Sequence, residues 1–426
     1  MALWCWLLLG VGISTALSPN SLLPPSPSPL PWEPATVSFA TPVLVGFSNF
    51  STPGGSRFWF PGISIPTGLP GHVAQHITLA DDGGSCNTPT HPQACEQIML
   101  TQDGGRTYTV TKTLSHGTSG NFNGYGDLGT AVPSSPARVG KVAPPGHFDT
   151  IVGCNDCIGG ALQAPAFLQT WADGDDGNLT VVRNVSVRFV DSPATFDKGE
   201  NCPTTDNGPA RACGFETPSQ TIIRTADGTL LLAAYGYASD SKRLCRDGKA
   251  APRLCYTTAF YRSGDGGITW RYASRLDQTP RMPSAVQGPC EPTLARLADG
   301  RVLVVFRLDS GIVLWKAYSP DGGLTWGEPT ALVGSPGVPF AVYPQLLMLS
   351  NGVLVLASGR PGIGFWVSAP TADGANWTGY DVEAEHSRLL PSDPYVLAGC
   401  VRACVHILFL YMLVCRRAAA SCRVGV

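Results

Sequence analysis

The sequence predicts an all-β fold, a β-propeller of six four-stranded blades, and three observations carry the prediction. First, an octet recurs. Ser319-Pro320-Asp321-Gly322-Gly323-Leu324-Thr325-Trp326 is matched by Ser263-Gly264-Asp265-Gly266-Gly267-Ile268-Thr269-Trp270. A looser copy is Thr101-Gln102-Asp103-Gly104-Gly105-Arg106-Thr107-Tyr108, and a decayed one is Thr371-Ala372-Asp373-Gly374-Ala375-Asn376-Trp377. Asp before Gly-Gly suits a tight hairpin, because glycine accepts positive φ and the carboxylate bonds backbone N–H groups across the turn. Second, each good octet follows a Pro, an apolar run, a Gly turn and another apolar run. Third, 49 Gly and 37 Pro stand in 426 residues without a collagen period, and no stretch before the C-terminal tail sustains helical periodicity.

Taken in order, the chain opens with Met1 to Ser18, a short apolar core ending in small residues, which reads as a secretory signal without a basic start. Residues 19–36 are Pro-rich and read as a polyproline-like linker. Sequons at Asn49, Asn178, Asn184 and Asn376 agree with export. Net charge is -2 and charged residues make up 14%, below the roughly 25% of an average soluble protein. With no basic excess, nucleic acid is not an expected partner.

In an exported chain the local cysteine pairs, Cys86 with Cys95, Cys202 with Cys213 and Cys245 with Cys255, read as loop staples. Cys154 and Cys157 form a tighter pair whose rival readings are a redox motif or half a zinc site, and no second such pair follows at finger spacing. Cys290 has no obvious partner. The histidines, including His72 and His76, form no metal-ligand constellation, and no cofactor is expected.

The second signature measures the repeat. Glu291-Pro292 leads through Asp299-Gly300 into Val302 to Arg307, Tyr343-Pro344 through Asn351-Gly352 into Val353 to Leu356, and Thr217-Pro218 through Asp227-Gly228 into Leu230 to Leu232. Phe60-Pro61 and Ala164-Pro165 are weaker members. Pro292 to Asp321 and Pro344 to Asp373 both span 29 residues, while Pro218 to Asp265 spans 47 and Pro61 to Asp103 spans 42. The longer units contain the Cys245/Cys255 and Cys86/Cys95 loops, so the disulfides sit where insertions sit. Unit starts near 61, 120, 165, 218, 292 and 344 place a propeller over 37–395. In each blade the first two strands meet at one face, and the octet, joining strands three and four, falls on the other.

These octets resemble the Asp-boxes, or BNR repeats, of the sialidase-like propellers, most clearly over 214–380. The resemblance implies an exo-alpha-sialidase-like glycosidase in which arginines clamp a substrate carboxylate, a Glu polarises a Tyr nucleophile and an Asp protonates the leaving oxygen. Glu291 matches the Glu before the blade-opening Pro, and Arg307 matches a triad arginine; Arg360 in Ser358-Gly359-Arg360-Pro361-Gly362 matches a third. Tyr343 stands one blade on at the place of Glu291. Competing readings are a rim salt bridge for Glu291 with Arg307 and a solvated turn for Arg360.

The family's Arg-Ile-Pro opening is absent: Pro61 follows Trp59-Phe60, and the nearest arginine is Arg57. Asp81, beside Asp82, is the candidate acid, against a reading as a solvated turn. Tyr380 and Tyr395 are the remaining nucleophile candidates, with Tyr380 preferred.

The apolar, Cys-rich tail, 396–426, reads as a membrane anchor, as a helix or strand closing the propeller, or as a replaced chain end. The expected function is a secreted sialidase-like hydrolase acting on sialylated or related acidic glycans. The alternative is a non-catalytic propeller binding acidic glycans or protein partners.

Overall fold

The computed structural model describes residues 36–39, 59–66, 69, 71–79, 96–103, 107–114, 130–132, 147–153, 166–173, 179–193, 214–218, 222–238, 240, 244–245, 253–283, 285, 287–309, 312–333, 342–348, 352–359, 363–368, 373–389, 412–416 and 421–425. The export signal, nearly all of the Pro-rich linker, Asn49, Asn178 and the cysteine pairs at 86/95, 154/157 and 202/213 lie outside them.

These residues are all-β apart from one short helix. β1 (Thr36–Phe39) is followed by a four-stranded antiparallel sheet of β2 (Trp59–Pro66), β3 (Val73–Leu79), β4 (Glu96–Thr101) and β5 (Thr109–Leu114). A second sheet holds β6 (Thr130–Val132), β7 (His147–Gly153), β8 (Ala166–Asp173) and β9 (Leu179–Val190). In the third, β10 (Gly214–Pro218) and β11 (Ile223–Arg224) pair with β12 (Leu230–Tyr237), which leads to β15 (Tyr256–Ser263) and β16 (Thr269–Leu276); a small hairpin of β13 (Leu244–Cys245) and β14 (Arg253–Leu254) interrupts it. The fourth comprises β17 (Cys290–Arg296), β18 (Val302–Arg307), β19 (Trp315–Ser319) and β20 (Thr330–Ala331). The fifth comprises β21 (Val342–Met348), β22 (Leu354–Gly359), β23 (Ile363–Ser368) and β24 (Thr378–Asp381). Helix α1 (Val382–Leu389) follows, with the Asp381 carboxylate accepting from Ala384 N at 2.9 Å as its cap.

Two features depart from the expected unit boundaries. The stretches starting near 120 and 165 are one sheet, with Ala166 opening its third strand. The tail contributes β25 (Met412–Arg416) and β26 (Ser421–Gly425), and β26 pairs in parallel with β1 to give a three-stranded sheet. No helix among the described residues is long and apolar enough to cross a membrane.

Strands β12 and β18 are buried along their whole length, so both of their faces are covered. The side-chain period of two divides them between neighbours. Leu230, Leu232 and Ala234 pack with Leu168 and Val187 of the second sheet, while Leu231 and Ala233 pack with Leu294, Val304 and Phe306 of the fourth. In turn Leu303 and Val305 pack with Leu346, Leu354, Leu356 and Trp366 of the fifth. The second to fifth sheets therefore stack face to face in chain order. The second and third are also joined edge to edge, where Thr269–Arg271 pair in parallel with Arg188–Val190.

The octets do as their sequence suggests. Asp321 Oδ1 accepts from Leu324 N (3.1 Å) and Thr325 N (2.8 Å), and Asp265 does the same with Ile268 N (3.2 Å) and Thr269 N (2.8 Å). Asp103 accepts from Thr107 N at 2.9 Å. The turns of the third and fourth sheets pack on the preceding sheet: Gly267 faces Leu168, and Gly323 faces Leu231 so closely that a Cβ would lie 2.7 Å from its Cδ1.

The turn at 371–377 has a different frame from the one its sequence spacing suggests. Trp377 Nε1 donates to Gly374 O and Trp270 Nε1 to Gly267 O, both at 2.9 Å, so Gly374 is the second glycine of the octet. Asp373, at φ 50, occupies the first glycine's place, where Gly322 has φ 71. The equal 29-residue spacing arises by cancellation. Ser319 pairs with Val302 and Ser368 with Leu354, a hairpin three residues shorter in the fifth sheet, but Asp373 comes five residues after Ser368 where Asp321 comes two after Ser319.

Candidate functional site

The first strand of the fourth sheet enters through a bulge. Cys290 pairs with Arg307 and Thr293 with Val305, so Glu291 and Pro292 together oppose Phe306 alone. The same three-against-two step occurs at Val342–Gln345 and at Pro61–Ser64. The bulge puts Glu291 at φ 46, a left-handed conformation that is uncommon outside glycine, asparagine and aspartate. Such backbone persists only where surrounding contacts fix it.

Here the contacts are strong. Arg307 Nη1 donates to Glu291 Oε1 at 2.7 Å, with the two side chains only 8% and 7% exposed. Both side chains are polar groups that the fold withdraws from water, and each supplies the opposite charge that makes the other's burial tolerable.

The approach to Glu291 is held equally tightly. Tyr256 N donates to Gln287 O at 2.6 Å, and Thr258 Oγ1 to Pro289 O at 3.1 Å. Gly288 has φ 89, and a Cβ there would lie 2.7 Å from Cys255 Cβ and 3.0 Å from Tyr256 N. Cys255 is disulfide-bonded to Cys245. Cys290 is buried and packs with Tyr235, Tyr237 and Tyr256. The ring of Tyr256 stacks on Tyr237 (4.4 Å between centroids) and meets Tyr235 edge-on (5.3 Å). This tyrosine cluster escaped the sequence reading. Its signal was positional: Leu230 pairs with Ser263 as Val302 pairs with Ser319, so Tyr235, five residues on, holds the place of Arg307 one sheet earlier.

The other expected site residues are distributed as follows. Tyr343 lies on β21 at the bulge position equivalent to Glu291. The register position of Arg307 falls in the fifth sheet on Gly359, so Arg360 is one residue beyond it and lies outside the described residues, as do Arg57 and Asp81. Tyr380 is on β24, three strands and so about 14 Å across the sheet from β21, with its ring stacked on Phe365 at 5.0 Å.

Glu291 and Arg307 lie at one end of the fourth sheet and the octet at the other. Val302 pairs with Ser319 at the octet, and Arg307 is five residues further along β18, about 17 Å at strand rise. The octets, whose Asp265 and Asp321 accept from their own turns and whose Trp326 donates to Ser274 of the adjacent sheet, are scaffold. No group of three or more His, Cys, Asp or Glu that would suit a metal occurs among the described residues.

A family profile described as a BNR repeat-like domain matches residues 166–378, half of the chain. The chain belongs to this BNR repeat-like family. The matched region of this BNR repeat-like protein holds Glu291, Arg307, the tyrosine cluster and the octets of the third to fifth sheets. No curated protein matches the chain. Among solved structures, it is similar to the alpha-L-arabinofuranosidase from Fusarium graminearum in complex with an iminosugar inhibitor, at 14% identity and a TM-score of 0.47 over 80% of this chain and 85% of that one. It is similar also to the alpha-L-arabinanase of Penicillium chrysogenum complexed with arabinobiose (16%, 0.44, 76% and 85%) and to Trypanosoma rangeli sialidase in complex with the inhibitor DANA (12%, 0.44, 82% and 52%).

Proposed function

We propose that the chain is an exported six-bladed propeller, with residues 1–18 as its signal and 19–36 as linker, and that it hydrolyses terminal sialic or related acidic sugars from glycans. One observation supports this most: a glutamate in a left-handed bulge conformation, buried against an arginine, at the strand ends opposite the octets. An arginine pre-oriented by a carboxylate presents a planar fork suited to an acidic sugar's carboxylate. Glu291 in turn is fixed in place to act on a neighbouring hydroxyl. Arg307 is the leading substrate-binding residue and Glu291 the leading catalytic one, with Arg57, Arg360 and Tyr343 as further binding residues and Asp81 as acid. The placement of Tyr380 on an outer strand favours a second reading, a propeller that binds acidic glycans without cleaving them.

The test is fluorophore release from a sialoside by the purified, secreted chain. Release by the wild type, reduced roughly 100-fold or more in Glu291→Gln and Arg307→Ala with folding retained, is the expected result. No release at high protein concentration removes the hydrolase, and retention of the chain on immobilised acidic glycan then supports the binding reading.

A further inference from the structure

Two arginines at the octet end of the innermost strands are absorbed by neither the octets nor the Glu291–Arg307 pair. Arg224 pairs with Leu230, itself opposite Ser263, and Arg296 pairs with Val302, itself opposite Ser319. They therefore hold the same register position in adjacent sheets, each closing the innermost strand beside an octet. The turns that follow them pack together: Gly300, at φ 91, would place a Cβ 3.4 Å from that of Ala226.

The carboxylates nearby are committed elsewhere. Asp227 accepts from Thr225 Oγ1 (2.6 Å) and Thr229 N (3.1 Å) and pairs with Arg262, and Asp299 pairs with Arg301. Neither Arg224 nor Arg296 forms a salt bridge with a described carboxylate. Arg224 uses Nη1 on Gly228 O, which ties its guanidinium across its own turn. Its Nε and Nη2 are buried and donate to no described residue. Those two N–H groups form one edge of the guanidinium plane, the edge that takes an oxyanion with two parallel bonds. Arg296 is exposed and, among the described residues, is held by a 3.4 Å bond from Nη1 to Thr225 O. Burial, and then the charge of Arg296, make the Arg224 cation less favourable than usual. An anion between the two would relieve both effects.

We infer that Arg224 and Arg296 form an oxyanion-binding site on the octet face, at the opposite end of the sheets from Glu291, and, resting on the glycan-directed function proposed above, that its ligand is the carboxylate or sulfate-ester group of an anionic saccharide. Arg224 supplies the fixed fork, and Arg296 closes over the ligand.

The experiment uses the full secreted chain carrying Glu291→Gln/Arg307→Met, so that the Glu291 end is disabled without leaving a lone buried charge and the hydrolase reading is not being tested. Tm is followed against inorganic sulfate at constant ionic strength, with chloride as balance. A saturable rise in Tm that is lost in Arg296→Ala and reduced in Arg224→Lys is expected. Arg296 is exposed, so its variant keeps the test valid even where Arg224→Lys fails to fold. Equal response in the three proteins, or none in any, overturns the site. Repeating the titration with glucuronate and with galactose 6-sulfate distinguishes the sources: a rise with the first assigns a carboxylate ligand, with the second a sulfate ester, and with neither confines the result to an adventitious ion only and overturns the saccharide assignment.

Discussion

Asp373 of the fifth sheet reaches back 2.6 Å to the guanidinium of Arg301 in the fourth. In the intact octets the aspartate ties its own turn together. Here the same residue type, moved to a glycine's place, ties two sheets together instead. Tyr318 Oη donates to Asp373 O at 2.9 Å, and Lys316 Nζ to Gly374 O at 2.8 Å, so the altered turn is held largely by its neighbour.

The frame shift makes the two central residues respond oppositely to substitution. Asp373→Gly removes a partly exposed ion pair worth about 0–1 kcal/mol and relieves a left-handed aspartate, so stability should stay within about 1 kcal/mol of wild type. Gly374→Ala should cost about 2–4 kcal/mol, because φ is 69 and the Cβ would lie 2.7 Å from Leu303 Cδ2. Urea unfolding of both variants is the measurement.

Breaking the Glu291–Arg307 pair should cost about 3–5 kcal/mol from either side, since each single change strands a buried charge. The double variant Glu291→Gln/Arg307→Met should recover much of that loss. A double-mutant cycle in urea gives the coupling directly, and additive losses would mean that the pair is not coupled.

Gly288→Ala should cost about 2–4 kcal/mol, from positive φ together with the approach to Cys255 and Tyr256. Gly264→Ala is its control: nothing lies within 4 Å of that position and φ is not positive, so the change should be neutral within about 0.5 kcal/mol.

Acid should act through the octets. Burial pulls the Asp321 and Asp265 carboxyls up, but hydrogen bonds from the turn, led by those of Thr325 and Thr269, pull them further down. A carboxyl depressed in the folded state binds fewer protons there than in the unfolded chain. It therefore adds stability above its unfolded value, about 3.9, and loses it as pH falls through the folded value. Below about pH 4 the Tm of Asp321→Asn should fall less steeply than that of wild type. Parallel curves would exclude Asp321 from the acid response.

Lys316 runs the other way. Burial lowers the basicity of its ammonium group, so the unfolded chain binds more protons in the alkaline range and stability from this site rises as pH approaches 10. Lys316→Met leaves Gly374 O with its bond from Trp377 Nε1. It should therefore be neutral or stabilising by about 1 kcal/mol at neutral pH, and should flatten that alkaline rise.

Much of this was legible in the sequence because the octets are self-contained. Asp321 and Trp326 find their partners within a few residues or on the adjacent sheet, so local pattern suffices. Glu291 and Arg307 were legible because strand register carries one to the other across a single hairpin. The frame at 371–377 was not, because a shortened hairpin and a lengthened turn cancel in the residue count, and only the Trp377 bond to Gly374 separates them. Tyr235 was missed because a tyrosine within Leu230 to Tyr237 looks like ordinary apolar patterning until the register of Leu230 on Ser263 is known. The Arg224 fork likewise depends on side-chain partners that no spacing encodes.

The parallel pairing of Thr36–Phe39 with Ser421–Gly425 has a consequence for the order of events in synthesis. Each four-stranded sheet can complete itself soon after its last strand leaves the ribosome, and can dock on the sheet before it. The 36–39 strand emerges early and must wait for a partner some 385 residues downstream. Until that partner is made, its edge is an open template for other chains. The pairing of the two strands is a late, long-range step whose rate is set by their separation along the chain rather than by any single sheet's stability.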